Sequence, residues 1–121
     1  MKKILFIEDE QALQKALSNK LEQENFKVLP ALDGEIGISL AQEKTPDLIL
    51  LDLILPKKDG LEVLQELKNN EKTKNIPVIV LTNLEKTEHI QKILKFGASA
   101  YLIKTNYTLD EIIEKIKQHV N

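Results

Sequence analysis

Five short apolar runs alternate with five amphipathic stretches along the 121 residues. The runs predict strands at Lys3–Ile7, Lys27–Pro30, Leu48–Leu51, Pro77–Leu81 and Ala100–Ile103. The first, third and fourth are almost unbroken Ile, Leu and Val, the pattern of parallel strands covered on both faces. Between the runs, apolar residues recur at helical spacing. Leu13, Ala16, Leu17 and Leu21 form one stripe, Leu61, Leu64 and Leu67 another, and Leu109, Ile112, Ile113, Ile116 and Val120 a third.

The punctuation agrees with these elements. Asp59 and Thr108 each stand three residues ahead of a glutamate (Glu62 and Glu111), the spacing of a capping box. Phe96-Gly97 is a helix stop, and Pro46 and Pro77 fall where strands begin and no ladder donor is needed. A strand–helix alternation with short connections predicts one α/β domain on a doubly wound parallel sheet. No linker, low-complexity tract or internal repeat interrupts it.

Composition narrows the partners. No apolar run approaches the roughly 20 residues that cross a bilayer. Lys2 and Lys3 lead into only a short apolar run before Glu8 and Asp9, too little for a signal-peptide core. Membrane association is therefore not expected, and a cytoplasmic location is. Cysteine is absent, which excludes disulfides, thiolate chemistry and cysteine-based zinc sites. Seventeen basic residues, all lysine, face nineteen carboxylates for a net charge of −2. Direct nucleic-acid binding is not expected, because no basic excess is available to neutralise phosphates. Without arginine there is also no planar fork for bidentate phosphate or carboxylate recognition.

Open parallel sheets bind ligands beyond the carboxyl ends of their strands, so the residues found there matter most. Glu8 and Asp9 follow the first run, Asp52 the third, Thr82 the fourth and Lys104 the fifth. Taken singly, Glu8 or Asp9 would cap a helix, Thr82 would be structural and Lys104 a solvated side chain. Asp52 fits a structural reading poorly, because it breaks the run LILLDLIL, where a carboxylate is costly to bury. Three clustered carboxylates repel one another unless a cation or proton sits among them, and an all-oxygen set suits a hard ion such as Mg²⁺. One carboxylate is then available as a nucleophile toward phosphorus. Lysine and threonine can hold phosphoryl oxygens by charge and by hydrogen bond.

The segments KKILFIEDE, PDLILLDLILPKKDGLEVL, IPVIVLT and GASAYLIK resemble the receiver domain of two-component response regulators along nearly the whole chain. The resemblance implies a flavodoxin-like (βα)5 fold with strand order 2-1-3-4-5, forming a single receiver domain over residues 1–121. It implies Asp52 as phosphoacceptor, with Glu8, Asp9, Asp52 and the backbone carbonyl of Ile54 as Mg²⁺ ligands. Thr82 and Lys104 would grip the phosphoryl group, Thr82 also serving the switch, and Tyr101 would be the aromatic whose rotamer reports activation. A histidine kinase or phosphotransfer protein would be the donor, docking on the first helix, where Gln11, Gln14, Lys15 and Ser18 are expected on the exposed face. The face formed by helix 4, strand 5 and helix 5 would bind a downstream protein. The chain would be a non-enzymatic switch, limited to its own phosphorylation and dephosphorylation. With no arginine for the family's usual dimer contacts, a monomer is expected, and the chain is expected to be either a single-domain receiver or an excised receiver fragment.

Departures from the family pattern carry their own expectations. Thr105 follows Lys104 where the family usually has a cis-proline, so a trans bond and a remodelled loop are expected. Asn83 replaces a small residue next to Thr82 and would crowd the phosphoryl pocket. Lys58, where methionine is common, is expected in a solvated loop. Ile54 and Leu84 flank the route of water to the acyl phosphate, and being bulky and apolar they imply slow loss of phosphate. His89 and His119 are expected at the surface without metal-ligand company.

Other classes fit less well. A flavin carrier of the same fold needs a phosphate-cradling first loop, which Glu8-Asp9-Glu10 would repel. An aspartyl phosphatase needs an Asp-x-Asp pair after its first strand. A phosphorylation-independent interaction module stays open, kept so by Thr105 and Asn83.

Overall fold

The computed structural model describes residues 1–120. Strands β1 (Lys3–Ile7), β2 (Lys27–Ala31), β3 (Leu48–Leu51), β4 (Val78–Thr82) and β5 (Ala100–Ile103) alternate with helices α1 (Gln11–Gln23), α2 (Gly34–Lys44), α3 (Gly60–Lys68), α4 (Thr87–Lys95) and α5 (Leu109–His119). All strands run parallel in the order β2-β1-β3-β4-β5. The register sets Leu5 between Leu29 and Ile49, and Leu50 beside Ile79.

Strand geometry sends successive side chains to opposite faces, so each central strand feeds two cores. Leu5, Ile7, Ile49, Leu51, Val78 and Val80 pack with Ala41 of α2, Val63, Leu64 and Leu67 of α3 and Ile93 of α4. Ile4, Phe6, Leu48, Leu50, Ile79 and Leu81 pack with Leu17 and Leu21 of α1 and Ile112, Ile113 and Ile116 of α5. The continuous apolar runs thus have helices over both faces. Each such side chain contributes about 2 kcal/mol by leaving water.

The boundaries differ slightly from the sequence expectation. β2 runs one residue further, to Ala31, and β4 is shifted to Val78–Thr82, so Thr82 belongs to the strand itself. The α1 stripe also differs. Ala16 is exposed and Gln14 is buried, contrary to the outward face expected for Gln14. At about 100° per residue, position 14 lies on the stripe that holds Leu17 and Leu21, whereas position 16 points away from it.

Three helices begin on side-chain caps. Thr108 and Glu111 form both halves of a capping box at α5. At α3, Asp59 accepts from the Glu62 amide at 3.0 Å, and no return bond from Glu62 occurs among the described contacts. Asp33, which the sequence reading passed over, accepts from the Ile36 amide at 2.9 Å and starts α2. Gly97, at φ +110°, turns the chain after α4, as the Phe96-Gly97 stop predicts. No helix among the described residues is long and apolar enough to cross a membrane.

Candidate functional site

The carboxyl ends of β1, β3, β4 and β5 lie side by side, and the ladder carries their termini to one rim. The Asp52 amide donates to Ile7 O at 3.0 Å, which fixes the end of β3 against the end of β1. Gly60 lets α3 start directly beneath this point. A Cβ there would overlap Asp52 O and Leu53 Cα. The Gly60 amide donates to Leu53 O at 2.8 Å.

Asp52 is 5 % exposed. Its Oδ2 accepts from Lys104 Nζ at 3.1 Å and its Oδ1 from the Ile54 amide at 3.3 Å. Glu8 is fully buried. Its Oε2 accepts from the Glu10 amide at 3.1 Å, so it steadies the turn before α1 rather than capping the helix. Lys104 Nζ lies 2.7 Å from Glu8 Oε1, close enough for an ion pair, yet that oxygen makes no hydrogen bond of acceptable geometry. Burial pushes the Glu8 carboxyl up to about 7, aided by the charge of Asp52 and opposed by the Lys104 ammonium. Burial works to lower the Lys104 ammonium, but its contacts with Glu8 and Asp52 outweigh that and raise it.

Asp9 is exposed, and carboxylate oxygens of Glu8, Asp9 and Asp52 lie within 4.8 Å of one another. These residues fit a hard divalent cation. The donors are all oxygens, and Glu8 Oε1 is buried without a hydrogen bond. The Ile54 side chain is 58 % exposed at the mouth of the rim.

Thr82 is fully buried, and its Oγ1 has no hydrogen-bond partner. Such an orphaned hydroxyl at a strand end calls for a ligand or water to complete it. Tyr101 is half-buried, packs against the α2–α3–α4 core, and donates its hydroxyl to Leu84 O at 2.8 Å. It therefore ties β5 to the loop that follows Thr82. Asn83 is exposed, and Leu84 is half-buried against the same core.

No peptide bond among the described residues is cis. The bond after Lys104 is therefore trans, as expected where proline is missing, and Lys104, Thr105 and Asn106 form a 3₁₀ turn that leads into α5. The turn still delivers Lys104 to Glu8 and Asp52. Lys58 is half-buried and pairs with Glu66 rather than being freely solvated. His89 is exposed, while His119 is half-buried with Nδ1 against Lys115 O.

The sequence reading missed Gln14 as a site neighbour. Its amide reaches three carbonyls at the ends of β1 and β2. A glutamine on a stripe of leucines was the signal that could have revealed it.

The profile of the response regulator receiver domain family matches residues 4–117. The DNA-binding dual master transcriptional regulator RpaA of Synechocystis sp. is 38 % identical over 117 residues, covering 97 % of this chain and 48 % of that protein. Response regulator ArlR of Staphylococcus saprophyticus is also 38 % identical over 117 residues, covering 97 % of this chain and 51 % of its own. The chain thus spans about half the length of the curated relatives it matches. Among solved structures, the Francisella response regulator 1452 receiver domain superposes with a TM-score of 0.89 at 29 % identity, covering 98 % of this chain and 95 % of that one. The Mn²⁺-bound form of response regulator Rcp1 gives 0.85 at 32 % identity, covering 98 % and 93 %. Five parallel strands in this order, the acidic rim and the match over residues 4–117 together make the chain a member of the response regulator receiver domain family.

Proposed function

We propose that residues 1–121 work as a single receiver unit that takes a phosphoryl group onto Asp52 from a phosphohistidine donor. The observation that carries this reading is a nearly buried Asp52 carboxylate held 3.1 Å from Lys104 Nζ. The same carboxylate shares a 4.8 Å cluster with Glu8 and Asp9. A carboxylate oxygen of Asp52 attacks phosphorus, a new O–P bond forms, and the P–N bond to the donor imidazole breaks. Lys104 then moves its charge from Asp52 to a phosphoryl oxygen, and the free Thr82 hydroxyl donates to another. Mg²⁺ held by Glu8, Asp9, Asp52 and the Ile54 carbonyl would supply positive charge against the phosphoryl oxygens. That the similar response regulator Rcp1 has a Mn²⁺-bound form supports divalent-ion binding by this chain.

Engaging Thr82 would draw on the loop Asn83–Leu84, to which the Tyr101 hydroxyl is bonded. The movement would reach the exposed face of α4, β5 and α5, where a downstream protein would bind a monomeric receiver. The role is that of a switch rather than an enzyme with a separate substrate.

Incubation with Mg²⁺ and a small acyl phosphate, read by intact mass, tests this proposal. The expected result is a gain of one phosphoryl group that Asp52→Asn and chelation both abolish. A gain that survives in Asp52→Asn would overturn the assignment. Mg²⁺ binding without any gain would restrict the donor to a protein. Neither binding nor gain would favour an interaction module that does not use phosphorylation.

A further inference from the structure

Gln14 is a buried polar side chain for which the proposed chemistry has no use. It is 6 % exposed on α1, between the leucines that bind this helix to the sheet. Its Nε2 lies 3.0 Å from Phe6 O, 3.3 Å from Glu8 O and 3.4 Å from Ala31 O. With two protons and three acceptors, the amide shares its donors among the end of β1, the turn after it and the end of β2. Its Oε1 accepts from the Ser18 hydroxyl at 3.1 Å, one turn along α1.

The amide orientation follows from its surroundings. Three carbonyls on one side admit only a donor, because an oxygen turned toward them would be repelled and left buried without a partner. Ala31 O is also the acceptor of the Glu8 amide at 2.9 Å. One glutamine therefore acts on the backbone of Glu8 twice, directly at its carbonyl and through the carbonyl that holds its amide.

Among the described side-chain hydrogen bonds of α1, those of Gln14 alone reach the strand ends. Gln11 and Lys15 stand exposed beside it on the outer side of the helix.

We infer that Gln14 is a positioning residue that holds the Glu8 backbone, and with it the Glu8–Asp9 pair, in the geometry that binds the divalent cation. This inference rests on the reading of Glu8, Asp9 and Asp52 as the cation site. Groups that orient metal ligands typically affect affinity by 10- to 100-fold. Gln14 acts through backbone rather than on a carboxylate, so an effect of about tenfold, the lower end of that range, is expected.

The test is Mg²⁺ titration of the full chain by calorimetry, well below its unfolding temperature, for the wild type, Gln14→Met, Asp9→Asn and Thr73→Val. Gln14→Met keeps volume and apolar contact while removing the donors. Thr73→Val removes a buried hydroxyl that bonds to Leu67 O, away from the rim, and serves as a control for lost stability alone. The expected result is Mg²⁺ affinity about tenfold weaker in Gln14→Met and unchanged in Thr73→Val. Equal affinity in Gln14→Met and Thr73→Val overturns the inference while leaving the cation site standing. Absence of Mg²⁺ binding by the wild type, or full binding by Asp9→Asn, overturns the cation site and this inference with it. Should Gln14→Met not fold, the wild-type Gln14 side-chain amide signals in an NMR titration decide. Protons protected from exchange and shifted by Mg²⁺ support the role, and signals that saturating Mg²⁺ leaves unmoved refute it.

Discussion

Leu51 and Asp52 are neighbours in the chain and almost equally hidden, at 0 % and 5 % exposure, yet they answer to opposite physics. Leu51 ends the strand among Leu5, Ile7, Val63 and Val80, where burial alone stabilises the fold. Asp52 begins a rim in which two buried carboxylates share one ammonium and a threonine hydroxyl has no partner. The interior of the sheet satisfies itself. The rim instead crowds two buried carboxylates around a single ammonium, and charges so placed cost stability unless further positive charge offsets them.

The largest effect should come from the interior. Leu51→Ala removes a fully buried side chain and should lower stability by about 3 kcal/mol or more in urea unfolding, equally with and without Mg²⁺. A strong Mg²⁺ dependence would blur the boundary between the two regions. Lys104→Met tests the rim from the other side, because it strips both buried carboxylates of the one cation that pairs with them among the described residues. A loss of about 2 kcal/mol in chelator is expected, partly restored by Mg²⁺ as ligand binding stabilises the folded state. Full stability in chelator would mean that the two acids do not strain the rim.

The smallest stability effect should come from Ile54→Asn, at a side chain 58 % exposed. Unfolding should change by no more than about 0.5 kcal/mol. Loss of phosphate from the labelled protein should nevertheless speed up severalfold, because an amide can orient the attacking water where the isoleucine cannot. An unchanged lifetime would remove Ile54 as the barrier and leave Leu84 to be tested.

The same division explains what the sequence disclosed. Both faces of the central strands are covered, so Ile4–Ile7 and Leu48–Leu51 had to be continuous apolar runs and were legible as such. Asp52 stood out because it broke one of them. Ala16 misled because a small apolar residue sits as easily on the outer face of a helix as on the inner one. Gln14 was taken for solvated surface because its acceptors, Phe6, Glu8 and Ala31, come from separate segments that only the fold brings together. Asp33 was missed for a related reason. The cap at Ile36 needed the exact start of α2, which no apolar stripe marks. That the Thr82 hydroxyl lacks a partner depends on its neighbours in space, and no spacing of residues records it.

The central claim is that the rim carboxylates strain the fold until a cation joins them. Urea unfolding of the wild type and Asp52→Asn, each in chelator and in saturating Mg²⁺, tests it most directly. Asparagine keeps the shape of the side chain and an oxygen that can accept from Lys104, while leaving Glu8 as the single buried charge that the ammonium offsets. The account predicts that the variant is about 1 kcal/mol more stable than the wild type in chelator. Mg²⁺ should close that gap by stabilising the wild type more. A variant less stable than the wild type in chelator would contradict the account, because Asp52 would then be supporting the fold rather than straining it.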